Sequence, residues 1–198
     1  MKDTYLILIL GWIIYFFIHS LMASLKCKSL FNQLFKKPFK YYRLLYSIVS
    51  VIGLIPLAVL HIILPNELIV DQTDMGKVLG LLLAGVGVIV IKQAFRVHNL
   101  KSFLGLEPSR ETSNSGPSPL KQFGILARVR HPIYTGTISI FLGLVIYQPS
   151  ITNLISTICV IIYILVGIRL EEARLIEEFG QSYIEYKKKV PMLFPKVF

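Results

Sequence analysis

The chain has 198 residues, 54% of them hydrophobic and 16% charged, with a formal net charge of +10. Soluble domains carry about a quarter charged residues, and disordered chains are poor in large apolar side chains, so this composition excludes both. Cys27 and Cys159 are too few to frame a disulfide scaffold, and four scattered histidines show no metal-ligand spacing, so no metal site is expected.

A helix crossing a hydrocarbon core of ~30 Å needs about 20 mostly apolar residues. Thr4 to Leu25 is uncharged and long enough for one pass. It reads as a retained span, because its apolar stretch exceeds that of a signal peptide and no A-x-A site follows. Leu44 to Leu64 is a second span with Pro56 as a kink, and Gly76 to Phe95 a third, whose Lys77 and Lys92 must snorkel outward. Gly80, Gly85 and Gly87 suit close helix packing, and Gln93, Arg96, His98 and Asn99 end this span.

Pro132 to Ile168 is 37 residues without a formal charge. As one helix it would extend roughly 55 Å, nearly twice the core, so it folds back at Tyr147-Gln148-Pro149-Ser150. The helices expected are Pro132 to Tyr147 and Ile151 to about Arg169, followed by an amphipathic helix over Leu175 to Tyr186. The fold class is therefore an all-α integral membrane protein. It has five transmembrane helices, the last two a short hairpin, and then a cytoplasmic amphipathic C-terminal helix. Residues 1–97 hold the first three spans and a basic loop, and residues 98–198 the C-terminal half, within one structural domain. The connection Leu106 to Pro119, rich in Ser, Pro and Gly, reads as a mobile loop.

The bases lie six in Leu25 to Arg43, seven in Lys92 to Arg130 and six from Arg169 onward, which leaves Lys2 and Lys77 of the 21 on the alternate face. The positive-inside rule makes the rich face cytoplasmic. The expected location is the plasma (inner) membrane, with the N-terminus outside and the C-terminus inside. The basic charge serves topology and contact with anionic lipids, not nucleic-acid binding.

The hairpin brings two polar clusters to one face. Pro132 favours the first turn of a helix, which leaves His131 at the cap, and Arg128 and Arg130 offer a clamp for a carboxylate or phosphate. Arg169-Leu170-Glu171-Glu172 emerges beside them, nearly forty residues later. Carboxylates at a helix C-terminus oppose its dipole, so either the helix continues or the pair has partners. Arg, His, Tyr and paired Glu suit a zwitterionic ligand with an aromatic part, although ordinary topology explains the same charges. His19, inside the first span, faces either a pocket or a hydrogen-bonding neighbour.

Arg130-His131-Pro132-Ile133-Tyr134-Thr135-Gly136, then Glu171-Glu172, then Phe179-Gly180-Gln181-Ser182-Tyr183 through Tyr186 to Val190-Pro191 form an ordered series. It resembles the isoprenylcysteine carboxyl methyltransferase and phospholipid methyltransferase superfamily over roughly residues 98 to 198. The resemblance implies an S-adenosylmethionine-dependent membrane methyltransferase, with Arg130, His131, Pro132, Tyr134, Gly136, Glu171 and Glu172 as cofactor-binding residues. Arg169 and Glu172 become candidate catalytic groups, the first steering an anionic acceptor and the second taking a proton. The acceptor would be a lipid or a lipophilic small molecule bearing a carboxylate, thiol or amine. His19-Ser20, Ala23-Ser24 and Tyr42-Arg43-Leu44-Leu45-Tyr46 look more like bacterial thiol methyltransferases and membrane proteins associated with nitrite and nitric-oxide reductases. The rival reading is a non-catalytic membrane binding or assembly protein that keeps the fold.

Overall fold

The computed structural model describes residues 2–34, 41–97, 100–106 and 119–195. Most of the Ser-, Pro- and Gly-rich connection, His98, Asn99, and the bases Lys36, Lys37 and Lys40 lie outside the described residues. Among the described residues are eight α-helices and no strand. They are α1 (Lys2–Ala23), α2 (Leu25–Leu34), α3 (Tyr42–Ile63), α4 (Asp74–Val97), α5 (Leu100–Leu104), α6 (Pro132–Tyr147), α7 (Ile151–Phe179) and α8 (Gln181–Lys189), with a 3-10 turn at Gly124–Ala127 before α6. α1, α3, α4 and α7 are long and apolar enough to cross a membrane, and α6 is a shorter apolar helix of 16 residues. The chain is thus a multi-pass membrane protein, and the fourth expected span, Pro132 to Tyr147, corresponds to this shorter helix.

The helices form two compact units, one of residues 1–66 with 98–113 and the other of residues 67–97 with 114–198. α4 therefore groups with the C-terminal half, whereas the sequence division at residue 97 sets it with the first three spans. In the first unit α1 lies along α3. His19 bridges them, with Nδ1 3.0 Å from the Ser50 hydroxyl and Nε2 2.7 Å from the Tyr46 hydroxyl. The Tyr42 hydroxyl donates to the Met22 carbonyl at 2.7 Å.

In the second unit α6 packs more closely along α4 than along α7. Glycines seven residues apart make this possible. A Cβ on Gly80 would lie 2.6 Å from the Gly143 carbonyl oxygen, and one on Gly87 would lie 2.5 Å from that of Gly136. Gly85, by contrast, faces nothing within 4 Å. Small residues let backbones approach, which is how apolar helices associate where water supplies no driving force.

The turn after α6 falls at the Gln-Pro-Ser cluster. Ser150 caps α7 by accepting from the Asn153 amide at 3.3 Å, and the segment before α4 zips onto this turn through Ile69 N–H to the Pro149 carbonyl at 2.8 Å. α7 does not stop near Arg169. It runs on for ten residues to Phe179, and Gly180 at φ +56° breaks it before α8. The expected amphipathic helix over Leu175 to Tyr186 is therefore divided between the end of α7 and α8. The apolar periodicity passes across Gly180 undisturbed, but the backbone there adopts a left-handed conformation that a helix interior excludes.

Candidate functional site

α7 buries a stripe of residues four apart: Thr152, Ser156, Val160, Ile164, Ile168 and Glu172. Neighbours i and i+4 share a helix face, so the apolar stripe delivers Glu172 inward when the helix continues past residue 168. Glu171 is rotated away from that face, and its side chain is 45% exposed. The two adjacent carboxylates thus sit in different surroundings, beyond the apolar residues 151–168 of the helix.

On α6, Pro132 stands in the first turn and His131 is the N-cap. Residues 190–193 lie alongside, with the Arg130 amide donating to the Pro191 carbonyl at 3.0 Å and the His131 amide to the Met192 carbonyl at 3.1 Å. The Thr135 hydroxyl donates to the Leu193 carbonyl. This strap places the Arg130 and His131 side chains against Glu171 and Glu172 of α7.

The Arg130 guanidinium donates through Nε to Glu172 Oε1 at 2.9 Å, and its Nη2 lies 2.7 Å from the same oxygen. Its Nη1 donates to the carbonyls of Lys187 and Val190. Lys187 Nζ lies 2.7 Å from Glu172 Oε2. His131, 5% exposed, stands between both acids, with Nε2 3.2 Å from Glu172 Oε1 and Nδ1 3.6 Å from Glu171 Oε2. Tyr134 stacks on the His131 ring at 5.6 Å and hydrogen-bonds Glu171.

Burial alone would raise the Glu172 carboxyl, but hydrogen bonds from Lys187, Arg130 and His131 outweigh it and hold the group down at about 2. Glu171 is likewise lowered: burial raises it, and the hydrogen bonds from His131 and Tyr134 lower it by more. Both acids are carboxylates at neutral pH.

The structure brings Arg130, His131, Tyr134, Glu171 and Glu172 together. Pro132 sets the start of α6, and Gly136 meets the backbone of α4 rather than the cluster. Arg169 and Arg128 are exposed on the surface of the second unit. Sequence reasoning left three groups unassigned: Lys187, Tyr183 and the strap 190–193. Lys187 stands in a three-lysine run that reads as a solvated basic face. The Tyr and Val-Pro positions of the C-terminal motif were the only signal for the others.

Apolar helices long enough to cross a membrane, one of them carrying this charged cluster just past its apolar stretch, define a multi-pass membrane protein. The chain belongs to the phospholipid methyltransferase family, whose model matches residues 75–182, the segment that holds nearly all of α4, α6 and α7 with Arg130, His131, Tyr134, Glu171 and Glu172. It is similar to methanethiol S-methyltransferase 1 of Bradyrhizobium diazoefficiens, with 30% identity over 180 residues, 89% of this chain and 62% of that protein. The methanethiol S-methyltransferase of Crocosphaera subtropica is 30% identical over 183 residues, 89% of this chain and 69% of its own length. That of Pseudomonas deceptionensis is 35% identical over 106 residues, 52% of this chain and 37% of its own. The chain therefore spans less than two thirds of the first and third of these relatives.

Proposed function

We propose that the chain is an integral membrane methyltransferase that uses S-adenosylmethionine and methylates a small thiol. The observation that carries this reading is the meeting of His131 and Tyr134 with Glu171 and Glu172, since a polar sulfonium ligand needs carboxylates and an aromatic surface together. The thiol acceptor rests on the names of the relatives, and it narrows the broader expectation of a carboxylate, thiol or amine on a lipophilic molecule. The relatives described above are named for thiol methylation and not for prenylcysteine carboxyl methylation.

The residues present fit such a donor. Glu171, half exposed, is the carboxylate with a face open to a ligand ammonium or ribose hydroxyl. The stacked His131–Tyr134 pair offers a flat surface to a purine. Arg130 has its donors committed to Glu172 and two backbone carbonyls, so its part is to brace the site rather than to clamp the ligand. Glu172, bonded on both oxygens and held at about 2, is too weak a base to accept a thiol proton, and we assign it the same bracing part. When bound, the donor would supply a methyl group on a sulfonium, whose carbon a thiolate would attack in line as the S-adenosylhomocysteine thioether leaves. The protein must orient the two reactants and exclude water around them.

The site is placed at the cytoplasmic surface of the plasma membrane, with the N-terminus outside, on the strength of the Lys/Arg asymmetry. Titration of the purified protein with S-adenosylmethionine, followed by headspace detection of dimethyl sulfide from added methanethiol, tests the proposal. Binding with product formation supports it. Binding without a volatile product moves the acceptor to another class, and no binding favours a non-catalytic membrane protein. Glu171→Gln should weaken donor binding roughly 10- to 150-fold, the loss of one charge-assisted hydrogen bond.

A further inference from the structure

Two tyrosines of α8 turn inward, and their hydroxyls have different fates. Tyr186 donates to the Leu126 carbonyl at 2.6 Å and so ties α8 to the 3-10 turn. Tyr183 is more deeply buried, at 1% exposure, yet its hydroxyl has no hydrogen-bond partner among the described residues. The two rings pack at 5.8 Å. Tyr183 lies one helical turn before Lys187, on the face that meets the charged cluster, within electrostatic reach of Glu172 and Arg130.

Neither of those charged groups is bonded to it. Arg130 spends its donors on Glu172 and the carbonyls of Lys187 and Val190, and Glu172 accepts from Arg130, His131 and Lys187. A buried hydroxyl left unpaired destabilises a fold, and phenylalanine would fill the same volume without that cost. Burial, reinforced by the Glu172 carboxylate, raises the phenol's ionisation above its ordinary value, so it remains a neutral O–H that can both donate and accept.

We propose that the Tyr183 hydroxyl is a further ligand of the methyl-donor site, hydrogen-bonded to a polar atom of the bound sulfonium nucleoside. The assignment rests on the function proposed above. It makes α8 part of the binding surface as well as a prop for Glu172, and it explains why a fold would tolerate an unpaired phenol beside a saturated ion-pair cluster. Local stability is given up where a ligand later supplies the missing partner.

Tyr183→Phe and Tyr186→Phe separate the two roles. Each purified variant is titrated calorimetrically with S-adenosylhomocysteine, and its thermal unfolding is followed without ligand. Tyr183→Phe should unfold at the wild-type temperature or above it, and bind about 10-fold more weakly. Tyr186→Phe should unfold at a lower temperature and keep its affinity. Unchanged affinity in Tyr183→Phe would overturn the assignment. So would a weaker affinity that comes with a lower unfolding temperature, since the hydroxyl would then be structural and satisfied by a buried water. Failure of the wild-type protein to bind S-adenosylhomocysteine would instead overturn the donor reading itself.

Discussion

The α4–α6 pair and the α1–α3 pair solve the same problem in opposite ways. Along α4 and α6, glycines stand where a single added carbon would strike the facing backbone. Along α1 and α3, the contact is made by side chains and leaves a cavity of about 360 Å³ bordered by Gly11, Tyr15, His19, Ser50, Pro56 and Leu60. Backbone contact fixes position, because main chain cannot rotate out of the way, whereas side-chain contact can yield. The rigid pair ends at His131, so Arg130 and His131 meet the α7 carboxylates from a fixed support.

The largest effect should come from removing the brace. Arg130→Leu leaves Glu172 buried with Lys187 and His131 only, and frees the carbonyls that anchor residues 187 and 190. Breaking one partner of a buried ion pair costs about 3–5 kcal/mol. The unfolding temperature in detergent should fall sharply, with donor binding lost. A mild loss of stability with normal binding would show that the strap holds without the guanidinium.

Next comes the helix contact itself. Gly87→Ala should cost about 1–3 kcal/mol, as forced overpacking does. Gly11→Ala meets only the ends of Leu57 and Leu60, at 3.1 and 3.2 Å, and it gains helix propensity, so its stability should be unchanged or slightly higher. Equal losses at both positions by thermal unfolding would erase the contrast between the two pairs.

Much of this arrangement was legible in the sequence, and what was missed has physical causes. Pro132 and the Gln-Pro-Ser turn fixed both ends of α6, because proline and turn residues act on the local backbone. Hydrophobic pattern carries no information on which neighbour a helix prefers, so chain adjacency pointed to α7. The seven-residue spacing shared by Gly80 with Gly87 and by Gly136 with Gly143 was the available sign of α4. The joining of Arg-His-Pro to Glu-Glu followed from the hairpin. The inward turn of Lys187 did not, because its orientation depends on the left-handed backbone at Gly180, which resets the helical phase between α7 and α8.

A smaller effect concerns acid. The Glu172 carboxyl has an ordinary value of 4.5 and is held at about 2 in the fold, so folding favours the carboxylate. Its contribution is fully present above the ordinary value and is lost as pH falls through about 2. Wild-type unfolding temperature should decline over that window, and Glu172→Gln should flatten this part of the decline. A variant that tracks the wild type from pH 5 to pH 2.5 would show that the carboxylate's partners compensate for its loss.

The smallest effect lies in the open pair and decides what the half-buried His19 imidazole does. His19 has both ring nitrogens engaged, by Ser50 and by Tyr46, and Tyr15 and Tyr46 pack against the ring. Hydrogen bonds between membrane helices contribute modestly, averaging about 0.6 kcal/mol, because the unfolded helices also find partners in lipid. His19→Phe keeps the aromatic packing and removes both bonds, so it should lower stability by about 1 kcal/mol and leave donor affinity at the wild-type value. Ser50→Ala should reproduce about half of that loss, and the double variant should show coupling, since the two residues share one bond. Additive losses would mean that the 3.0 Å contact contributes nothing. A His19→Phe variant of normal stability that no longer methylates a thiol would take the imidazole out of the scaffold and place it in the chemistry.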